Sequence, residues 1–225
     1  QLLKAMEPRT FPHIAAVLAL YRPGPMSVNM HYDFADRMNG RQEVTYFHDD
    51  AKEVLGDTYG LMIYQESVMR VAQKFAGYSQ ADNLRKAMGK KSREVMAKAR
   101  QAFEDGVVAE GYGNEMGPML FDIIEKFADY AFNKSHTFGY GLITYQTAYM
   151  KAHYPVEYIA SLLTSVKNNL DKAATYLADC RSMGIKVLPP DVNRSLMNFG
   201  ALSPDELPEG VTVPVGSPGA ITFGL

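Results

Sequence analysis

The sequence predicts a mainly α fold, a multi-helix domain followed by a small β-containing C-terminal element. Three observations carry that expectation. Residues 10–184 alternate helix-starting and helix-stopping residues with apolar side chains at three- and four-residue spacing. After Gly184 the pattern changes to Ile185-Lys186-Val187-Leu188, Pro189-Pro190 and a Pro- and Gly-rich tail with short β-like pieces. The chain has 225 residues, 47% of them apolar, which suffices to bury a sizeable core as one large or two modest domains.

Taken in order, Thr10 caps a first helix with Pro12 in its opening turn, and Ile14, Val17, Leu18 and Tyr21 recur at helical spacing until Arg22-Pro23-Gly24-Pro25 breaks it. A short helix around His31 to Met38 ends at Gly40. Leu61-Met62-Ile63-Tyr64 is a brief apolar run, and in the helix after it Val68, Val71, Ala72 and Phe75 share one face before Gly77 supplies the stop. Ser79-Gln80-Ala81-Asp82 is a capping-box pattern that opens the helix of Arg85 and Lys86, with Gly89 as its end. Ser92 starts a longer helix to about Glu110, with Val95, Ala99, Ala102 and Val107 inward. Adjacent Asp49 and Asp50 read as a helix start rather than a two-metal site.

From Asn114 a further helix turns Met119, Leu120, Ile123, Ile124 and Phe127 to a core. Another begins near Thr137 and runs to His153, where Pro155 ends it and starts the next. Leu170 to Met183 forms the last helix, closed by Gly184, with Cys180 as one of its core residues. The expected organisation is a helical domain over 1–192 and a separate strand-and-loop element over 193–225, truncated at its C-terminus and paired with residues outside this chain. Gln1 at the start and Ala220 to Leu225 at the end read as cut ends, so the chain is expected to be a piece of a longer protein, against the alternative of a processed intact one.

Composition sets several functions aside. No run of 18 uncharged apolar residues occurs, so no membrane span and no membrane partner are expected. The single cysteine excludes an internal disulfide framework and fits a reducing cytoplasm. Gly89-Lys90-Lys91-Ser92 lacks the first glycine and the terminal Ser/Thr of a Walker phosphate loop. The five histidines are scattered, giving no protein-ligated metal set, and no nucleophile elbow supports a serine hydrolase.

Two clusters carry chemistry. The chain has a net charge of −2, yet between Arg85 and Arg100 seven basic residues (Arg85, Lys86, Lys90, Lys91, Arg93, Lys98, Arg100) face the single acid Glu94. Such a local excess suits a polyanion, although a solvated helix face has the same composition and Lys90 and Lys91 would also complement a helix C-terminus. Asn133-Lys134-Ser135-His136, on a loop between apolar helices, offers an amide, an ammonium, a hydroxyl and an imidazole to phosphate or sugar oxygens. The alternative is Ser135 as a helix cap and His136 as a satisfied, partly buried histidine. Tyr140, Tyr145 and Tyr149 follow, the last two on one helix face, where they stack on bases or pack into a core.

Seven motifs now occur in order: Arg22-Pro23-Gly24-Pro25-Met26, Tyr64-Gln65-Glu66-Ser67-Val68-Met69, Leu84 to Lys91, Phe132-Asn133-Lys134-Ser135-His136, Tyr145-Gln146-Thr147, Lys151-Ala152-His153-Tyr154-Pro155 and Leu188-Pro189-Pro190-Asp191-Val192-Asn193. Together they resemble the fingers region of the bacterial replicative DNA polymerase III α subunit, the C-family polymerases. The resemblance implies a multi-helix fingers domain that packs over the incoming deoxynucleoside triphosphate and the template-primer DNA during template-directed 5′-3′ synthesis. It implies that Mg²⁺ is held by palm aspartates outside this chain, so that the fragment alone has no polymerase activity and no catalytic residue. On this basis Arg85, Lys86, Lys90 and Lys91 are candidates for triphosphate or DNA-backbone contacts, and Asn133, Lys134, Ser135 and His136 for the nucleotide pocket, with Tyr140 beside the base and Arg22 as a further candidate. Many relatives carry Arg-Arg at Arg85-Lys86, and Lys86 keeps the charge without the bidentate fork. Partners implied are template-primer DNA, a deoxynucleoside triphosphate, the palm and other domains of the parent polymerase and, through regions outside this chain, replisome subunits in the bacterial cytoplasm. A stand-alone helical nucleic-acid-binding module is the alternative function, and an interaction domain docking an acidic partner a third.

Overall fold

The computed structural model describes residues 1–77, 81–82, 84–86, 93–128 and 130–224. The expected capping residues Ser79 and Gln80, the stop Gly89, the cations Lys90 and Lys91, and Ser92 lie outside the described residues. The helices are α1 (Leu2–Met6), α2 (Phe11–Leu20), α3 (Pro23–Ser27), α4 (Met30–Met38), α5 (Ala51–Leu55), α6 (Gln65–Ala76), α7 (Arg93–Ala109), α8 (Met116–Ala128), α9 (Lys134–His153), α10 (Pro155–Ser165) and α11 (Leu170–Ser182). Among the described residues three short strands, β1 (Lys186–Val187), β2 (Gly200–Leu202) and β3 (Ala220–Thr222), add a small β element to a mainly α structure.

Contacts divide the chain into two compact units, Gln1–Ile143 and Thr144–Leu225. In the first, α6 buries Val68, Val71, Ala72, Phe75 and Ala76 along one stripe and ends at Gly77, whose φ of 87° suits a residue without a β-carbon. Around that stripe pack Phe103 and Val107 of α7 and Leu120, Phe121 and Ile124 of α8. A second core joins Leu2 and Met6 of α1, Ala16, Ala19 and Leu20 of α2, and Met30, Phe34 and Ala35 of α4. The extended run between them serves both. Leu61 and Ile63 enter the second core and Met62 the first, the alternation of a strand-like backbone. Each fully buried Phe or Leu contributes roughly 1.5–3 kcal/mol relative to an exposed one.

Several helices depart from expectation in a physically legible way. Helix α2 buries Ala15, Ala16, Ala19 and Leu20, keeps Val17 partly buried against the same core and leaves Tyr21 exposed. Ala15 packs against Gly141 of α9, an approach that larger side chains would prevent. Thr10 holds the extended backbone of an N-cap without a side-chain bond. Arg22-Pro23-Gly24-Pro25 ends α2 but immediately starts α3, since proline is at ease in a first turn. In α8 it is Phe121 that is buried, while Met119 is 42% exposed. Helix α9 starts at Lys134, three residues before the expected Thr137.

In the second unit α10 buries Val156, Ile159, Ala160 and Leu163 at helical spacing against Cys180, Ile185 and Ile221. Asn169 caps α11 by accepting from the Lys172 amide at 3.1 Å. The sheet order is β1-β3-β2, with β3 parallel to β1 and antiparallel to β2. The pairing partners expected outside the chain are thus inside it. β1 and β3, which pair with each other, both lie in the second unit.

Candidate functional site

The site is built where the chain returns to α6. Tyr64 and Phe132 form an isolated parallel bridge, with the Gln65 amide donating to the Phe132 carbonyl at 2.9 Å and the Phe132 amide to the Ile63 carbonyl at 3.1 Å. That bridge sets the start of α9. Asn133 is the cap: its Oδ1 accepts from the His136 amide at 2.8 Å, and its carbonyl from the Thr137 amide at 3.2 Å. Asn133, Lys134, Ser135 and His136 are therefore a cap and a first helical turn, not a loop.

Lys134 is the most constrained of the four. Its amide donates to Glu66 Oε2 at 2.8 Å and its ammonium to Asp57 Oδ2 at 3.0 Å. The ammonium also stands 5.3 Å from the centroid of the Tyr64 ring and 5.8 Å from that of Phe138, within cation-π range. Tyr64 is buried, and burial pushes its phenol well above the ordinary range, so it stays neutral beneath the cation.

Arg22, Asn133, Lys134, His136 and Tyr140 are brought into one region through Phe132. The Arg22 guanidinium lies 4.4 Å over the Phe132 ring, His136 packs edge-on to Phe132 at 5.4 Å, and Tyr140 tilts over His136 at 4.4 Å. Arg22 donates to the Tyr130 carbonyl, and through Nε to the Ala19 carbonyl at 3.0 Å. Its donors thus hold the α2–α3 corner to the residues before α9, and burial lowers its pKa. Ser135, His136 and Tyr140 present an exposed polar and aromatic surface. On α9 beyond them, Tyr145 and Tyr149 are exposed with ring centroids 6.3 Å apart, and Tyr149 lies 4.3 Å from His153.

The basic cluster is far less naked than its sequence suggests. Arg85 donates to Asp82 Oδ1 through Nε at 3.2 Å and Nη2 at 2.7 Å, and Lys86 reaches Asp82 Oδ2 at 2.7 Å. Those two cations, Lys86 foremost, hold the Asp82 carboxyl below its ordinary pKa. Lys98 pairs with Glu94, and Arg100 pairs with Glu104 and, from α8, with Asp122 at 2.7 Å. Among the described residues, Arg85, Lys86, Lys98 and Arg100 are thus each paired with a carboxylate, Glu94 within the counted stretch and Asp82, Glu104 and Asp122 outside it. Arg85 and Lys86 remain 63% and 59% exposed, and exposed ion pairs of this kind contribute little to stability.

Residues that the sequence did not single out complete the arrangement. Asp57, in the single turn Gly56–Thr58, also takes the Arg70 Nη2 at 3.2 Å from each oxygen. Glu66 stood inside a quoted motif without a role, and only the return of the chain at 132–134 supplies one. Among the described residues no group of three or more His, Cys, Asp or Glu converges. No described helix is long and apolar enough to cross a membrane.

The chain is similar to known proteins. The bacterial DNA polymerase III alpha subunit finger domain matches residues 1–111. The DNA polymerase III subunit alpha of Mycobacterium tuberculosis is 55% identical over 210 residues, covering 91% of this chain and 18% of that relative. The corresponding subunit of Mycobacterium leprae is 56% identical over 210 residues, with the same shares of both chains. That of Escherichia coli K12 is 43% identical over 217 residues, 93% of this chain and 19% of the relative. The chain thus spans about a fifth of the length of the curated relatives it matches.

Proposed function

The chain belongs to the bacterial DNA polymerase III α subunit family, in its finger domain, and from that premise we propose that it binds the incoming deoxynucleoside triphosphate and the template-primer DNA during template-directed 5′-3′ synthesis by a parent polymerase. The observation that carries this reading is the start of α9. There a capped helical turn presents Lys134, Ser135 and His136 beside Arg22 and Tyr140, with the Lys134 ammonium fixed in place and part of its donor capacity unspent.

Nucleotidyl transfer builds negative charge on the α-phosphate and on the departing pyrophosphate. Cations already in position lower the barrier because they need not reorganise as that charge develops. Lys134 supplies a held ammonium, and Arg85 and Lys86 supply exposed cations that exchange Asp82 for phosphate oxygens. Lys90 and Lys91 extend that set in sequence. Asn133 orients the turn, and the exposed ring of Tyr140 on His136 offers a face to a base. When bound, Mg²⁺ ions in a palm outside this chain polarise the reacting phosphate and activate the primer hydroxyl, so the fragment by itself is expected to be inactive. The parent is read as a cytoplasmic replication enzyme.

Steady-state primer extension by the parent polymerase tests the reading. Arg85→Ala is expected to raise the nucleotide KM and lower kcat, and Lys134→Gln to raise KM by roughly tenfold, the worth of one charged hydrogen bond. Unchanged extension across nucleotide concentrations would remove both assignments. Duplex binding by the fragment with a steep salt slope and no competition from nucleotides would favour the binding-module alternative.

A further inference from the structure

Lys134 is gripped at both ends by carboxylates from an earlier part of the chain. Glu66 holds its amide at 2.8 Å and Asp57 its ammonium at 3.0 Å. Asp57 is in turn bracketed by Arg70, whose Nη2 lies 3.2 Å from both carboxylate oxygens. A free lysine has four rotatable bonds, and a phosphate contact that must first freeze them loses that entropy from its affinity. Here the freezing is done beforehand, by an ion pair at the tip and two ring faces along the side.

A carboxylate beside a phosphate site would normally repel the ligand. Arg70 meets much of that objection, because with Lys134 it balances the two carboxylates Asp57 and Glu66, so the group carries no net negative charge and Asp57 is confined to an orienting task. An ammonium has three donors and Asp57 takes one of them. We propose that Asp57, braced by Arg70, is a positioning residue that holds the Lys134 ammonium ready for the phosphates of the incoming nucleotide. The proposal rests on the reading of Lys134 as a nucleotide contact.

The test is primer extension by the parent polymerase over a range of nucleotide concentrations, with Asp57→Asn, Lys134→Gln, Arg70→Gln and the Asp57→Asn/Lys134→Gln pair. The Asp57 and Arg70 side chains are 44% and 41% exposed, so their isosteric or shortened variants are expected to fold. Asp57→Asn should raise the nucleotide KM roughly fivefold with kcat within about twofold, since rotamer freedom is lost on binding rather than in the chemical step. Arg70→Gln should raise KM less, by about twofold, because Asp57 keeps its hold on Lys134. In the double variant KM should equal that of Lys134→Gln alone. A purely structural role for Asp57 would instead add its effect to that of Lys134→Gln. A KM that is unchanged or lowered in Asp57→Asn, while Lys134→Gln raises it, overturns the positioning role and leaves the nucleotide reading standing. An unchanged KM in Lys134→Gln overturns both.

Discussion

Gly24 lies under the ring of Tyr130, so that a β-carbon on it would stand 2.8 Å from the ring Cε1 and closer still to Cδ1. The same Tyr130 gives its carbonyl to the Arg22 guanidinium. Arg-Pro-Gly-Pro is therefore both a rigid corner and part of the site: two prolines start α3, the glycine admits the ring, and the arginine ties the corner to the residues leading into α9. Gly24→Ala should push the ring aside and lower stability by about 1–3 kcal/mol, the usual cost of overpacking. Thermal denaturation checks this, and the loss should shrink when Tyr130 is also shortened to Leu. An equal loss in both backgrounds would mean that the ring is not what excludes the β-carbon. The motif itself was plain in the sequence. Its tyrosine partner, more than a hundred residues away, was not.

At the scale of single elements, legibility followed the kind of residue that does the packing. Helices α6 and α10 bury large branched or aromatic residues at three- and four-residue spacing, and periodicity found the α6 face as well as the Pro155 start of α10. Helix α2 buries three alanines beside Leu20, and alanine carries little hydrophobic signal, so its buried face is faint in the periodicity. The start of α9 was misplaced because Ser135 is as plausible a cap as Asn133, and only the bond from the His136 amide to Asn133 Oδ1 decides between them. That bond makes a prediction separable from nucleotide binding. Asn133→Ala should cost about 1 kcal/mol of stability, while Asn133→Asp or Asn133→Ser, which keep an oxygen at the cap, should cost much less. Chemical denaturation of the three variants measures it. Equal losses in all three would show that Asn133 matters through something other than its cap. Pairing between helices is likewise hidden from the sequence: Arg100 meets Asp122 across two helices, a pairing that counting charges along the chain cannot register.

At the scale of the whole molecule the described residues form two cores in the first unit and one in the second. The mainly helical class was legible because it depends on caps and periodicity, both local. The contacts divide the chain within α9, where the sequence shows only uninterrupted helix. The sheet was half visible: its strand-like segments could be read, but the union of 186–187 with 220–222 spans a separation that no local pattern spans. Cys180 provides a probe of the second core. It is fully buried on α11 among Val156, Ile159, Leu163 and Ile221, and burial, with Asp179 adding to it, pushes its thiol pKa up. The reactive species is the thiolate, so the native chain near neutral pH presents neither the access nor the ionisation that a thiol reagent needs. Labelling should therefore proceed only through opening of the second unit, at least about a hundredfold slower than in denaturant. Leu163→Ala, which hollows that core at a cost of about 2–5 kcal/mol, should speed labelling by the factor its lost stability predicts. If Leu163→Ala left the rate unchanged while Phe75→Ala, in the first unit, raised it, the protection of Cys180 would depend on the first unit, and the second could not be treated as a core that closes by itself.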